Sequence, residues 1–250
     1  IGKLDGFEQD PIVPAVEQWR YRNKLEYSFG TDDGGALICG FHAPGSWERI
    51  EHVEDCLLAS EAGNQARRAA LQWCRDRGLS AYDRRAQTGL LRNLVVREGR
   101  RTGDLQVRLV TSDAPVELDG FAEATGAGSV LWTRALDVGE TTAGGITEVL
   151  HGTEAIDEEL GGLRFRISAD AFFQTNTEMA ERLYAVASEY AGLQGWERVY
   201  DLFCGIGTIG LSLATRAGEV WGLEIVEEAI GDAIANARLN EIDNARFFAG

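Results

Sequence analysis

The sequence predicts two architectures in succession, an α+β part with mainly antiparallel strands and then the first half of an α/β Rossmann-like unit. Three observations carry this reading. Residues 199–224 run as a β-prone segment, a glycine turn, an apolar helical segment and a second β-prone segment that ends in an acid. Before residue 170, by contrast, alternating runs are punctuated by turn residues such as Thr31-Asp-Asp-Gly-Gly35 and Gly99-Arg-Arg-Thr-Gly103, the pattern of hairpins. A chain of 250 residues, 44% of them hydrophobic, can also bury a core in each of two modest domains.

Residues 1–20 read as irregular, because Pro11 and Pro14 interrupt any regular element. From Tyr21 the pattern alternates, with Leu25, Tyr27 and Phe29 on one face and Arg22, Lys24, Glu26 and Ser28 on the other. Residues 36–41 return as its partner strand. Arg20, Arg22 and Lys24 form a basic strip that reads first as a solvated strand face and second as a phosphate contact. Ser60 caps a helix over residues 60–77 that places Ala62, Ala66, Ala69, Ala70 and Trp73 at helical spacing and stops at Gly78. Residues 92–98 and 104–111 flank a polar turn tipped by Arg100 and Arg101, which could also meet phosphates. Further strands are expected over 129–136, 146–150 and 163–168.

The segment Phe172-Phe-Gln-Thr-Asn176 then leads into a helix with Thr177 as its cap and Met179, Ala180, Leu183, Ala187 and Tyr190 on its apolar side. From the residues alone, Gln174 is a polar side chain that hydrogen-bonds its own loop. In the stretch that follows, Gly205 and Gly207 remove Cβ atoms where the chain turns and a ligand could approach the backbone. Ile209, Leu211, Leu213 and Ala214 suit a buried helix, and Glu224 falls roughly 20 residues past the glycines, where a carboxylate can accept from ribose hydroxyls. A ribose-bearing cofactor is implied. Gly205, Gly207 and Gly210 also spell G-x-G-x-x-G, so a nicotinamide dinucleotide competes with S-adenosylmethionine. Asp201 beside the turn favours the latter, since a carboxylate suits a cationic amino-acid group and repels a pyrophosphate. A helix over 226–239 and a third strand over 244–249 complete the pattern.

The net charge is -16, but it is unevenly spread. Residues 1–110 hold 16 basic and 16 acidic side chains and residues 111–250 hold 8 and 24, which together make the 24 and 40 of the whole chain. Any polyanion should therefore be met chiefly by the first part or by segments outside this chain. Four cysteines without close regular spacing argue against a disulfide scaffold and fit a reducing compartment. With no apolar run near 18 residues and no signal-peptide pattern at Ile1, a cytoplasmic protein without membrane contact is expected.

Three segments, Tyr21-Arg-Asn-Lys24, Phe172-Phe-Gln-Thr-Asn176 and Asp201-Leu-Phe-Cys-Gly-Ile-Gly-Thr208, occur together in an order that resembles the RNA uracil-5-methyltransferases, most closely the branch acting on 23S ribosomal RNA. The resemblance spans about residues 4–250. It implies an α+β region over 1–168 of the RNA and iron–sulfur type, followed over 169–250 by the N-terminal part of a Rossmann-like S-adenosylmethionine methyltransferase domain, cut before its end. It further implies that Gln174, Phe203 and Thr208 flank the cofactor, that Gly205 and Gly207 shape its loop, and that Glu224 holds the ribose. Asp201 would face the amino-acid moiety or orient the turn. Cys56 corresponds to the last of four iron–sulfur cysteines, whose three partners lie N-terminal in the family; Cys39, Cys74 and Cys204 lack the spacing to replace them, so no cluster is expected in this chain by itself. As a general thiol, Cys56 reads equally well as a buried free cysteine.

The activity so implied is methylation of carbon 5 of a uridine, most closely in 23S ribosomal RNA, by a monomer. A cysteine thiolate adds to carbon 6 of an extruded base, carbon 5 attacks the methyl sulfonium, and a base removes the carbon-5 proton before the thiol leaves. The family's nucleophile lies in a downstream Ser-Cys-Asn-Pro motif, and neither that motif, nor Asp-Pro-Pro-Arg, nor the late general base occurs here. Cys204 is not a substitute, because it sits inside the glycine turn where a small residue is needed for packing. No catalytic residue is thus expected in this chain, and the nucleophilic cysteine and the general base are expected beyond Gly250. The rival readings are a transfer-RNA T-loop methyltransferase, a non-catalytic RNA-binding protein on the same scaffold, and a nicotinamide oxidoreductase.

Overall fold

A computed structural model of the chain describes residues 6–136 and 145–250; the first five positions of the irregular opening lie outside the described residues. The first architecture is a seven-stranded sheet built from β1 (Lys24–Thr31), β2 (Leu37–His42), β3 (Ile50–His52), β4 (Leu91–Glu98), β5 (Leu105–Thr111), β6 (Ser129–Arg134) and β7 (Ile146–His151). Its order is β3-β2-β1-β4-β5-β6-β7. Among these pairings only β5 with β6 is parallel, and the chain makes that crossover through the short helix α2 (Phe121–Thr125).

The long helix α1 (Glu61–Asp76) covers one face of this sheet. Ser60 caps it as expected, its Oγ accepting from the Gly63 N–H at 2.9 Å and donating to Glu98 Oε1 at 2.6 Å, so the cap also ties the helix to β4. Ala66, Ala70, Leu71, Trp73 and Cys74 pack against Leu25, Tyr27, Phe29, Leu94 and Val96, which is the apolar face that the alternation from Tyr21 announces. β3 and α2 are additions to the sequence reading. Three residues of Ile-Glu-His and five of Phe-Ala-Glu-Ala-Thr are too short to show a period.

The second architecture is a parallel sheet of β10 (Arg198–Leu202), β11 (Glu219–Glu224) and β12 (Ala245–Ala249), with α4 (Thr208–Ala214) and α5 (Glu227–Leu239) as the crossovers. Between the two sheets stand the hairpin of β8 (Ile156–Leu160) and β9 (Leu163–Ile167) and the helix α3 (Thr177–Ala191). Strand β8, Ile-Asp-Glu-Glu-Leu, carries three acids in a row and gives no strand signal in sequence. Ile156 and Leu160 nonetheless pack with Phe165, Ile167, Phe173, Tyr184 and Phe247 in an apolar cluster separate from that under α1.

Polar groups join the two parts. The fully buried Glu158 carboxylate accepts the Arg100 N–H at 2.9 Å, the Arg101 N–H at 3.1 Å and the Thr177 hydroxyl at 2.8 Å. Thr177 Oγ1 in turn accepts from Asn23 Nδ2 at 3.0 Å. Arg101 also pairs with Glu181 of α3, and Arg100 lies 3.6 Å from Glu178. The tip of the β4–β5 hairpin is therefore a docked turn whose arginines face acids of α3. The cap of α3 differs from the expectation: Asn176 Oδ1 accepts the Met179 N–H at 3.0 Å, while Thr177 is the first helical residue and directs its hydroxyl to Glu158. A buried carboxylate that satisfies three backbone N–H groups, those of Arg100, Arg101 and Glu159, and a hydroxyl leaves them all unpaired when removed. Glu158→Ala should lower the unfolding free energy by about 3 kcal/mol, read as a shifted urea midpoint; an unchanged midpoint would contradict this account.

Candidate cofactor site

The glycine turn forms where β10 ends. The N–H groups of Phe203 and Cys204 both donate to the Leu223 carbonyl, at 2.8 and 3.0 Å, which pins the turn across the end of β11. Three residues here have left-handed backbones: Phe203 at φ 68°, Gly205 at 53° and Gly207 at 85°. For phenylalanine that conformation costs about 1 kcal/mol, yet its ring is 87% exposed and packs in no core to compensate. The two glycines serve different ends. A Cβ on Gly207 would lie 3.1 Å from the Phe247 ring, whereas one on Gly205 would meet nothing within 4 Å, so Gly205 presents open backbone to solvent.

Both acids are held by backbone N–H groups. Asp201 Oδ2 accepts the Gly210 N–H in the first turn of α4 at 2.8 Å, and a Cβ on Gly210 would come within 3.0 Å of that oxygen. The third glycine of G-x-G-x-x-G therefore makes room for a carboxylate of this chain. A pyrophosphate seeking the same N–H would meet that negative charge, which tells against the dinucleotide reading. Burial raises the Asp201 pKa, and the Gly210 hydrogen bond partly offsets it. Glu224 Oε2 accepts the Gly205 N–H at 3.1 Å, and its Oε1 accepts from Ile225 at 2.8 Å and Val226 at 3.2 Å. The same carboxylate thus closes the glycine turn and opens the loop into α5, with acceptor capacity left on Oε2. Just past β12, the Gly250 N–H donates to the Glu224 carbonyl at 3.1 Å, so residue 250 stands beside this acid.

Thr208 Oγ1 lies 3.1 Å from the Tyr184 hydroxyl of α3, whose pKa burial raises. Tyr184 and Phe247 are absent from the sequence reading; a glycine inside strand β11 was the available signal for Phe247, since a Cβ on Gly222 would lie 2.4 Å from its ring and 2.9 Å from Cys204 Sγ. Cys204 is buried beneath the turn. Burial, with the Asp201 and Glu224 carboxylates nearby, pushes its thiol up to about 12, so it is a neutral packing group at physiological pH.

Gln174 reaches the region from another direction. Its carbonyl accepts from Asn23 Nδ2 at 2.8 Å, the Thr175 carbonyl accepts the Asn23 N–H at 2.8 Å, and Arg97 donates to the Ala171 carbonyl at 2.8 Å. Two of the motifs found far apart in sequence are therefore in direct contact, with Asn23 of the first holding the loop of the second. Phe173, beside Gln174, belongs to the same apolar cluster as Cys204 and Ile206 of the glycine turn. The Gln174 amide side chain has no hydrogen-bond partner among the described residues, contrary to the expectation that it bonds its own loop.

Cys56 lies elsewhere, in the core under α1, with Asn64 bridging its N–H and carbonyl at 2.9 and 3.0 Å. Among the described residues no group of three or more His, Cys, Asp or Glu could hold a metal ion. An iron–sulfur cluster needs four ligands, so the donors present here do not fit one. The basic strip is also largely engaged: Arg20 forks onto Asp55 at 2.9 and 3.1 Å and Lys24 pairs with Glu26 at 2.7 Å.

A parallel strand–glycine turn–helix–strand unit with an acid closing each end defines the front of a Rossmann-like methyltransferase fold. Comparison with known proteins agrees and narrows the class. Residues 143–249 match the tRNA (uracil-5-)-methyltransferase family. An RNA methyltransferase of Clostridium tetani is 37% identical over 256 residues, covering 99% of this chain and 56% of that protein. One from Caldanaerobacter subterraneus is 38% identical, covering 98% and 55%. In structure the chain is similar to the Pyrococcus abyssi tRNA (uracil-54, C5)-methyltransferase solved with S-adenosyl-L-homocysteine, with a TM-score of 0.81 and 27% identity over 95% of this chain and 57% of that one. The chain is thus similar to RNA methyltransferases, with residues 143–249 matching the uracil-5 family, and it spans little more than half the length of these relatives. Among the described residues no helix is long and apolar enough to cross a membrane.

The close fit beneath the turn is testable by itself. Gly222→Ala drives a methyl group into Phe247 and Cys204 and should destabilise the protein by about 1–3 kcal/mol, seen as a lower thermal midpoint; full stability would show that the turn does not depend on this packing.

Proposed function

We propose that the whole protein transfers a methyl group from S-adenosylmethionine to carbon 5 of a uridine in RNA. The observation that carries the reading is the arrangement of Asp201 and Glu224 around open backbone at Gly205, two carboxylates suited to a sulfonium-bearing amino acid and a ribose and unsuited to a pyrophosphate. When bound, the cofactor supplies an electrophilic methyl group. The residues of this chain bind and orient it: Glu224 accepts from ribose hydroxyls, Phe203 and Thr208 flank the ligand, Gly205 and Gly207 shape the loop, and Asp201 fixes the turn through Gly210. Gln174, held from behind by Asn23, presents its amide toward the cofactor and the target base. The nucleophilic cysteine and the base belong to residues beyond Gly250, outside this chain.

Residues 1–168 act as an RNA-facing α+β domain and 169–250 as the front of the methyltransferase domain, with the β8–β9 hairpin as the seam. The protein works in the cytoplasm as a monomer. For the substrate, the sequence resemblance supports 23S ribosomal RNA, and the transfer-RNA specificity named for the Pyrococcus abyssi neighbour supports a T-loop uridine. Methyl transfer by full-length protein to each purified RNA, mapped to the modified base, separates the two and, if neither is methylated, rejects both.

Two substitutions test the roles of single residues. Glu224→Ala should weaken S-adenosylhomocysteine binding by about 1.5–3 kcal/mol, or roughly 10- to 150-fold, in calorimetric titration; unchanged affinity would contradict the ribose assignment. Cys204→Ser should leave turnover of the full-length enzyme intact, because a thiol titrating at about 12 is no nucleophile at neutral pH; loss of turnover with cofactor binding preserved would reassign it.

A further inference from the structure

Helix α3 has one buried face, formed by Thr177, Ala180 and Tyr184 at intervals of three and four residues. Thr177 anchors the near end of that face to Glu158, and Glu181, one turn on, pairs with Arg101, so the helix is fixed from the side of the seven-stranded sheet. Tyr184 stands about 10 Å further along the axis than Thr177, and there its hydroxyl meets Thr208 Oγ1 at 3.1 Å. The ring lies in the apolar cluster with Phe165, Phe173 and Phe247. A phenylalanine would fill the same space, so packing accounts for the ring and not for the hydroxyl. A buried hydroxyl is unfavourable unless hydrogen-bonded, and among the described residues Thr208 is its one partner.

The direction of that hydrogen bond follows from the chemistry of the two groups. A phenol is the more acidic O–H and the poorer acceptor of the pair, and burial, with the Asp201 carboxylate nearby, raises the Tyr184 pKa and keeps its proton in place. Tyr184 therefore donates to Thr208. Thr208 Oγ1 still has its own proton to give, and no other group among the described residues takes it. Thr208 is half-buried and directly follows Gly207 in the turn, where the nearby carboxylates of Asp201 and Glu224 can accept hydrogen bonds but not donate them. A ligand that brings a carboxylate of its own to this acidic setting needs a donor here.

We propose that Tyr184 is a positioning residue for the cofactor: by donating to Thr208 Oγ1, it leaves the Thr208 hydroxyl proton directed at the carboxylate of the cofactor's amino-acid end. The inference rests on the reading of the turn as an S-adenosylmethionine site and deepens it, since it assigns the donor for the ligand's negative group. Because α3 is also bonded to Glu158 and Arg101, the setting of that donor is tied to the first part of the chain.

The test is calorimetric titration of the full-length protein with S-adenosylhomocysteine and, separately, with methylthioadenosine, which keeps the adenosine and the sulfur and lacks the amino-acid end. Thr208→Val should weaken S-adenosylhomocysteine binding roughly 10-fold or more, and Tyr184→Phe about 5-fold. Neither should change the affinity for methylthioadenosine by more than about twofold, which also shows that both variants fold. The double variant should bind S-adenosylhomocysteine no more weakly than Thr208→Val alone, because Tyr184 acts only through Thr208. The proposal is overturned if either single variant keeps full affinity for S-adenosylhomocysteine, if Tyr184→Phe weakens both ligands alike, or if the two losses add. Wild-type protein that takes neither ligand rejects the S-adenosylmethionine reading and this inference with it, whereas wild-type binding beside an unaffected Tyr184→Phe variant rejects the inference alone.

Discussion

A single run of buried hydrogen bonds, from Asn23 through Thr177 to Glu158 and on to the backbone of Arg100 and Arg101, holds the two halves of this molecule in register. Asn23, Thr177 and Glu158 are nearly or wholly out of water, so each has a partner or bears the desolvation cost of an unmet polar group. The hydroxyl of Thr177 is the pivot, donating to Glu158 while accepting from Asn23. That dual role fixes which way every other group in the run must face. Because Asn23 also holds the Gln174 carbonyl, the same bonds that join the halves set the position of the Gln174 loop.

The turn itself shows how a short motif can be over-determined. Its backbone is fixed by Leu223 from behind, by Glu224 from the side and by Asp201 through the first turn of α4, with Phe247 closing the space beneath. None of these restraints uses the exposed faces of Gly205 or Phe203. The strained, exposed phenylalanine is therefore held in place by its neighbours' hydrogen bonds, and its ring remains available for contact.

What could be read from the sequence divides along physical lines. The β10–α4–β11 unit was legible because its glycines and acids are required at fixed separations, and the face of β1 was legible because one side of it is buried and the other is not. β8 was not, since its acids are explained only by partners outside the strand: Glu158 by Arg100, Arg101 and Thr177, and Asp157 by Arg164 at 2.7 Å. The same cause misassigned the cap of α3. Threonine and asparagine can both cap in isolation, and only the pull of Glu158 on Thr177 leaves the task to Asn176. Arg100 and Arg101 looked like a tip available to phosphates because the acids that receive them lie more than 50 residues away. The irregular pairing beside Arg92, by contrast, gave no pattern at all, because a register shift between Leu91 and Asn93 leaves no spacing to read.

The parts joined by Asn23 and Glu158 are made at very different times. As the chain leaves the ribosome, β1 and β4 are complete once Glu98 has emerged, yet the groups that satisfy Asn23 and the Arg100–Arg101 turn arrive only with Glu158 and Thr177. At synthesis rates of about 5–20 residues per second, the interval from Glu98 to Thr177 lasts roughly 4 to 16 seconds. During that time the end of the sheet formed by Asn23 and the β4–β5 turn carries polar groups whose buried partners have not yet been made.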